Sequence, residues 1–176
     1  MSSTELLPRV CDRVILRRLA PEDLRRFQAY RHDPVVGQFQ GWTATPDVEA
    51  VAFLSEMSAA PGFVRGEWFQ IGIAERETGA LIGDIGVYLA PDKSEATVGF
   101  SLDRSFQGRG LASESIRAMI ALVFAASSVQ RIVAITDERN LAAQNLLKAV
   151  GMRHTKTDEA VYHGESCIEY TFTLPR

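Results

Sequence analysis

Hydrophobic and polar positions along the chain change rhythm twice. Residues 13–19 (RVILRRL) form a short apolar-rich run that predicts a strand. Pro21, Glu22 and Asp23 then mark a helix start, with acids where the helix dipole favours them, and that helix is expected to reach about Arg31. Asp33-Pro34 restarts the chain, and 34–44 fits neither period clearly. Thr45-Pro46-Asp47 predicts a second helix, with Thr45 as N-cap and Pro46 in the first turn, ending near Ser58 before Pro61-Gly62. Residues 66–75, 80–90 and 95–103 read as three strands joined by short Gly or Pro turns, with Phe69, Ile71 and Ile73 sharing one face.

The second half switches to a helical period. Residues 109–126 are apolar on most sides and predict a largely buried helix. Residues 130–136 predict a strand, and Asp137 or Asn140 then caps a helix to about Val150. Gly151 fits a left-handed C-terminal cap, with Met152 free to pack back and Lys148 facing the negative helix end. Two last strands are expected near 152–158 and 166–174. The order β-α-α-β-β-β-α-β-α-β-β describes a meander followed by helical crossovers. It predicts an α/β (α+β) domain with a mixed, mostly antiparallel sheet of about seven strands and about four helices.

At roughly 150 residues per domain, 176 residues make one domain spanning 1–176. The net charge is −3, which disfavours a nucleic-acid-coating protein, though a positive pocket remains possible. Cys11 and Cys167 fit no metal or redox spacing, and His32, His154 and His163 form no ligand pattern, so no metal is expected. The longest apolar run, Ala118 to Ala126, is too short for a bilayer. The first ten residues lack a signal-peptide pattern. The expectation is a soluble cytoplasmic protein without membrane or nucleic-acid partners.

Most chemistry is concentrated in Phe100-Ser101-Leu102-Asp103-Arg104-Ser105-Phe106-Gln107-Gly108-Arg109-Gly110-Leu111-Ala112: a strand, a short loop with two glycines, and a helix start. The first amides of a helix lack internal acceptors, and the dipole adds about half a positive charge there. Gly108 and Gly110 let backbone approach a diphosphate, and Arg104 and Arg109 raise the local potential. The simpler reading is an ordinary strand–turn–helix connection. A Walker loop is excluded because no Gly-Lys-Ser/Thr occurs. A dinucleotide fingerprint is excluded because Ser113 occupies its third glycine position and no acid stands about 20 residues beyond.

With these residues in view, the chain resembles the GNAT superfamily of N-acetyltransferases. Gln107, Gly110 and Ala112 match the family's Q/R-x-x-G-x-G/A loop, and Asn140 and Gly151-Met152 stand where relatives carry an Asn and a Gly-Phe-like pair. L-I-G-D-I-G at 81–86, E-A-x-V-G-F at 95–100, G-L-A-S-E at 110–114 and the run from Asn140 to Met152 look most like ribosomal-protein N-terminal acetyltransferases of the RimJ/RimL type.

The resemblance implies an acetyl-CoA-dependent enzyme that moves the acetyl group to a primary amine by direct attack in a ternary complex. The acceptor is a protein N-terminus or a small-molecule amine. Amides of Gln107, Gly108, Arg109, Gly110, Leu111 and Ala112 would hold the pyrophosphate. Phe100, Ser101 and Leu102 would splay from the next strand and bond the pantetheine arm. An N–H near Leu102 would polarise the thioester carbonyl, and Asn140 would bond the pantetheine or the loop, or merely cap its helix. Many relatives are dimers, so a homodimer is possible.

Three positions depart from the family pattern: Leu147 where many members have a proton-donating Tyr, Ala143 where a Ser is frequent, and Met152 where the closing Phe stands. A non-catalytic CoA-binding sensor is the alternative these departures leave open. For the base, Glu95 and Asp84 interrupt apolar runs on strands beside the cofactor strand, where a carboxylate is chemically conspicuous. Their simpler roles are a solvent-facing strand start and a structural hydrogen-bonding acid. Glu165 and Glu169 are weaker candidates. Glu114 reads as a helical partner of Arg117, and Tyr88, Tyr162 and Tyr170 as packed aromatics able to donate protons. The 32–44 segment, with Phe39 and Trp42, falls where relatives bind the acceptor.

Overall fold

A computed structural model describes residues 6–176. The elements run β1 (Arg9–Val10), β2 (Val14–Arg18), α1 (Leu24–Arg31), α2 (Pro34–Gly37), α3 (Asp47–Ala59), β3 (Trp68–Glu75), β4 (Leu81–Leu89), β5 (Glu95–Leu102), α4 (Leu111–Ala126), β6 (Arg131–Asp137), α5 (Leu141–Ala149), β7 (Arg153–Tyr162) and β8 (Glu165–Pro175). Short 3-10 turns at Pro21–Asp23 and Arg104–Phe106 lead into α1 and the loop before α4.

The strands form one sheet in the order β1-β2-β3-β4-β5-β6-β8-β7. Only β5 and β6 pair in parallel, because α4 carries the chain across between them. Ile71, Ile73, Ile85, Val87, Ala96, Val98, Ile132 and Ala134 are buried along the strands, and Ile116, Met119, Leu122 and Val123 of α4 belong to the same core.

Eight strands and five helices replace the expected seven and four. The additions are the two-residue β1 and the single turn α2, which lies in the stretch that fitted neither period. Asp33 starts α2 by accepting from the Val35 N–H at 2.9 Å. Thr45 is not the cap of α3. The N-cap is Pro46, extended at φ −60°, ψ 157°, and its carbonyl accepts from Ala50. Thr45 precedes a proline and is thereby held away from helical geometry. The long helix begins at Leu111 rather than 109, because Gly108 and Gly110 take φ of +72° and +77°. Gly151 is left-handed (φ +93°), and Met152 N donates to Leu147 O at 3.0 Å, closing α5 as expected. β7 runs four residues past the expected end. Its mostly exposed faces hide the two-residue period, and His163-Gly164, both with positive φ, turn it into β8.

Candidate active site

β5 and β6 keep parallel register only from Glu95↔Arg131 to Val98↔Ala134, while β5 continues to Leu102 and β6 to Asp137. Beyond Val98 the two strands part. On the other side β5 stays bonded to β4, with Asp103 N donating to Ile82 O at 2.8 Å and Ala90 N to Glu95 O at 2.9 Å. Strand alternation therefore turns the amides of Phe100 and Leu102 into the gap. Their carbonyls accept from Gln40 Nε2 at 3.0 Å and Gln107 Nε2 at 2.9 Å. Gly83 lets β4 approach this close: a methyl group on it would overlap the Ser101 carbonyl.

The glycine loop lies at the end of β5. Asp103 caps the turn before it, accepting from Ser105 N at 2.9 Å. Gly110 is the N-cap of α4 and supplies no side-chain acceptor, so the first amides of α4 have no intrahelical partner. Glu114 does not pair with Arg117. It accepts from Arg13 N at 2.7 Å, Val14 N at 3.3 Å and Arg13 Nε at 3.0 Å, while Arg117 donates to Ala149 O. Burial pushes the Glu114 carboxyl up, but the bonds from Arg13 and Val14 together hold it below its usual range. Arg13 also donates to Arg109 O at 2.7 Å, so the residue before β2 fastens the last part of the loop to the start of α4. Arg104 is neutralised by Asp33 at 3.2 Å, whereas Arg109 has no carboxylate partner among the described residues and lies over Phe106. Asn140 caps α5 through Oδ1, which accepts from Ala143 N at 3.2 Å.

Asp84 lies in register with Ser101 and is fully buried. Its Oδ1 accepts from Gln70 at 2.7 Å and Arg31 at 3.0 Å; its Oδ2 accepts from Arg31 at 2.9 Å and from the Tyr30 hydroxyl. Four bonds fill a carboxylate's acceptor positions, so no oxygen is left for a substrate proton. Asp84 is a structural acid and not the expected base. Burial and the Asp84 charge push the Tyr30 hydroxyl up, so it remains a donor. Arg31 carries the network outward, stacked between Phe27 (4.6 Å) and Trp42 (4.3 Å), and Trp42 Nε1 donates to Ser101 Oγ at 3.0 Å.

Glu95 is likewise displaced from the site. It opens β5 at the end opposite Leu102 and pairs with Arg131 at 2.8 Å. Eight strand residues span roughly 25 Å, too far for proton transfer at the loop end. At the end of β6 that has parted from β5 the acids are Asp137 and, on β8, Glu169. Asp137 is held by Arg139, and this pairing lowers its carboxyl despite burial. Glu169 stands in register with Asp137 and has no ion-pair partner among the described residues.

The 38–42 segment bridges the gap: Phe39 lies under Arg139, Gln40 bonds Phe100, and a methyl group on Gly41 would lie 3.6 Å from Tyr162 Oη. That hydroxyl is buried without a partner, and burial, followed by Glu169 and Cys167, pushes it up. Of this group only Trp42, Phe39, Tyr162 and Glu169 are prominent in the sequence. Tyr30, Arg31, Gln40 and Gln70 carry no local signal; at most, Gln70 is a polar residue within an apolar run.

Among the described residues, no group of three or more His, Cys, Asp or Glu side chains is placed to hold a metal. No described helix is long and apolar enough to cross a membrane.

The site is thus a parted parallel strand pair with a glycine-capped helix start at its mouth. The family pattern of the acetyltransferase (GNAT) domain matches residues 13–153, and the chain belongs to that family. It is 25% identical over 147 residues to an uncharacterized N-acetyltransferase, p20, of Bacillus licheniformis, covering 81% of this chain and 80% of that one. The uncharacterized N-acetyltransferase YnaD of Bacillus subtilis is 23% identical over 141 residues, covering 80% and 79%.

Solved structures share the fold. An acetyltransferase of the GNAT family from Bacillus anthracis superposes with a TM-score of 0.84 at 16% identity, covering 96% of this chain and 98% of that one. The ribosomal L7/L12 α-N-protein acetyltransferase RimL, in complex with coenzyme A, gives 0.79 at 17% identity, covering 95% and 96%. The fold is that of enzymes transferring acetyl groups from acetyl-CoA.

Proposed function

We propose that the protein transfers the acetyl group of acetyl-CoA to a primary amine by direct attack in a ternary complex. The observation that carries this is the parting of β5 from β6 beyond Val98 and Ala134, with Gly108 and Gly110 at its mouth. The amides from Gly108 to Ala112 fit a pyrophosphate, because they have no backbone partner among the described residues, lead into a helix N-terminus and lie beside Arg109; that of Gln107 is spent on Arg104 O at 3.2 Å. The Phe100 and Leu102 amides, turned into the gap, fit a pantetheine arm and a thioester carbonyl. Leu102 N–H is the oxyanion donor in this reading, a role worth about 3 kcal/mol in comparable sites. Asn140 contributes through Nδ2, its Oδ1 being spent on the cap.

Glu169 takes the proton from the incoming ammonium, directly or through water. The Tyr162 hydroxyl returns a proton to the CoA thiolate, filling the role for which Leu147, an apolar and buried residue, is unsuited. The bond changes balance: nitrogen forms the amide bond, the C–S bond breaks, and of the two protons the ammonium loses, one leaves through Glu169 to solvent and the other restores Tyr162, whose own proton ends on sulfur. The acceptor is a small-molecule amine or a protein N-terminus.

Acetyl-CoA is expected to raise Tm, and free thiol to appear when an amine is added. A thermal shift without thiol release across an amine panel supports the sensor alternative instead. No shift at all, with Gly110→Glu behaving like the parent, refutes the reading.

A further inference from the structure

Gly99 is exposed although β5 is interior to an eight-stranded sheet. It is the first residue beyond the last β5–β6 pair, Val98↔Ala134. Its cross-strand partner on β4 is also glycine, Gly86, so two adjacent positions on one face carry no side chain. A methyl group on Gly99 would meet nothing within 4 Å and its φ is not positive; Gly86 is buried, and a methyl group on it would lie 2.9 Å from Gln70 Oε1 and 3.2 Å from the Trp68 ring. Trp68 is 53% exposed and packs at 5.5 Å on Tyr88. On the far lip, Ile135 of β6 is 51% exposed.

Neither backbone strain nor tight packing requires Gly99, and an open backbone floor at the point of strand separation admits a second reactant. We propose that Gly99 floors an acceptor port, lipped by Trp68, which covers Gly86, and by Ile135, that selects primary amines attached to an apolar or aromatic body. This rests on the acetyltransferase reading above and names its substrate class. Trp68 also lines a groove of about 600 Å³ with Phe53 and Met57, rimmed by Glu56 and Glu67, where such a body continues. The lips carry no formal charge, so at the port itself recognition comes from buried apolar area.

The test compares phenethylamine with ethanolamine as acceptors in the parent, Gly99→Val, Gly99→Ala and Trp68→Ala proteins, with the acetyl-CoA thermal shift measured on each. The parent should favour phenethylamine. Gly99→Val should keep the thermal shift and lose roughly a hundredfold in kcat/KM, with Gly99→Ala between it and the parent. Trp68→Ala should lose roughly tenfold with phenethylamine and little with ethanolamine. Parent kinetics in Gly99→Val, or a parent that uses ethanolamine as well as phenethylamine, overturns the port and leaves the acetyltransferase reading standing. Loss of the thermal shift in both Gly99 variants assigns the position to the cofactor channel and also overturns it. A parent with neither thermal shift nor thiol release refutes both.

Discussion

The two sides of the β5–β6 gap are built by different means. The proposed cofactor side is one contiguous run, from Phe100 to Ala112, and offers backbone: amides turned into the gap, two left-handed glycines and a helix start. The proposed acceptor side is assembled from side chains of α1, the 38–42 segment, β3, β4, β7 and β8, with Arg31, Gln70 and Trp42 held on Asp84 and Ser101. A backbone site is specified by where glycine stands and where a helix begins. A side-chain site needs every contributing element to pack first, and its buried polar groups are costly when unpaired.

The sharpest way to break this contrast is Asp84→Ala. It leaves Arg31 buried without its carboxylate and should cost about 3–5 kcal/mol of stability, read from denaturant unfolding. A loss below about 1 kcal/mol would show that the acceptor side does not depend on that network. Gly110→Glu attacks the other side. It places a charge and a strained φ at the anion site and should remove the acetyl-CoA thermal shift, leaving at most about a hundredth of kcat/KM. An unchanged shift would mean that the loop does not hold the cofactor.

Glu169→Gln should lower kcat about a hundredfold with the thermal shift intact, and Tyr162→Phe should have a smaller effect of the same kind. Equal losses in cofactor binding would erase the division between sides. The smallest effect is expected from acid. Because the Glu114 carboxyl is held below its usual value of 4.5, the stability it contributes is complete above that value and is lost as pH falls through the lower folded value. Glu114→Gln should flatten this part of the stability–pH curve while changing neutral-pH stability little.

The cofactor side was legible because its cues are local. Gln107, Gly108 and Gly110 stand together, and Asn140 and Gly151 bracket one helix. Asp84 was conspicuous in an apolar strand, yet its role turns on three donors 14 to 54 positions away. Glu95 was misjudged because proximity in sequence to Phe100 says nothing about which end of the strand meets the gap. Gly99 lies inside the recognised E-A-x-V-G-F run, but only the separation of β6 makes its missing side chain an opening.

By itself the sequence determined the element order, the meander and crossovers, the family's loop and the helix caps, since turn glycines, capping residues and hydrophobic periods act over a few residues. Only the tertiary structure decided where β5 leaves β6, which carboxylates are saturated and which free, and how the 38–42 segment crosses the gap. Those outcomes depend on hydrogen-bond partners and burial brought together from distant segments, and no local pattern encodes that pairing.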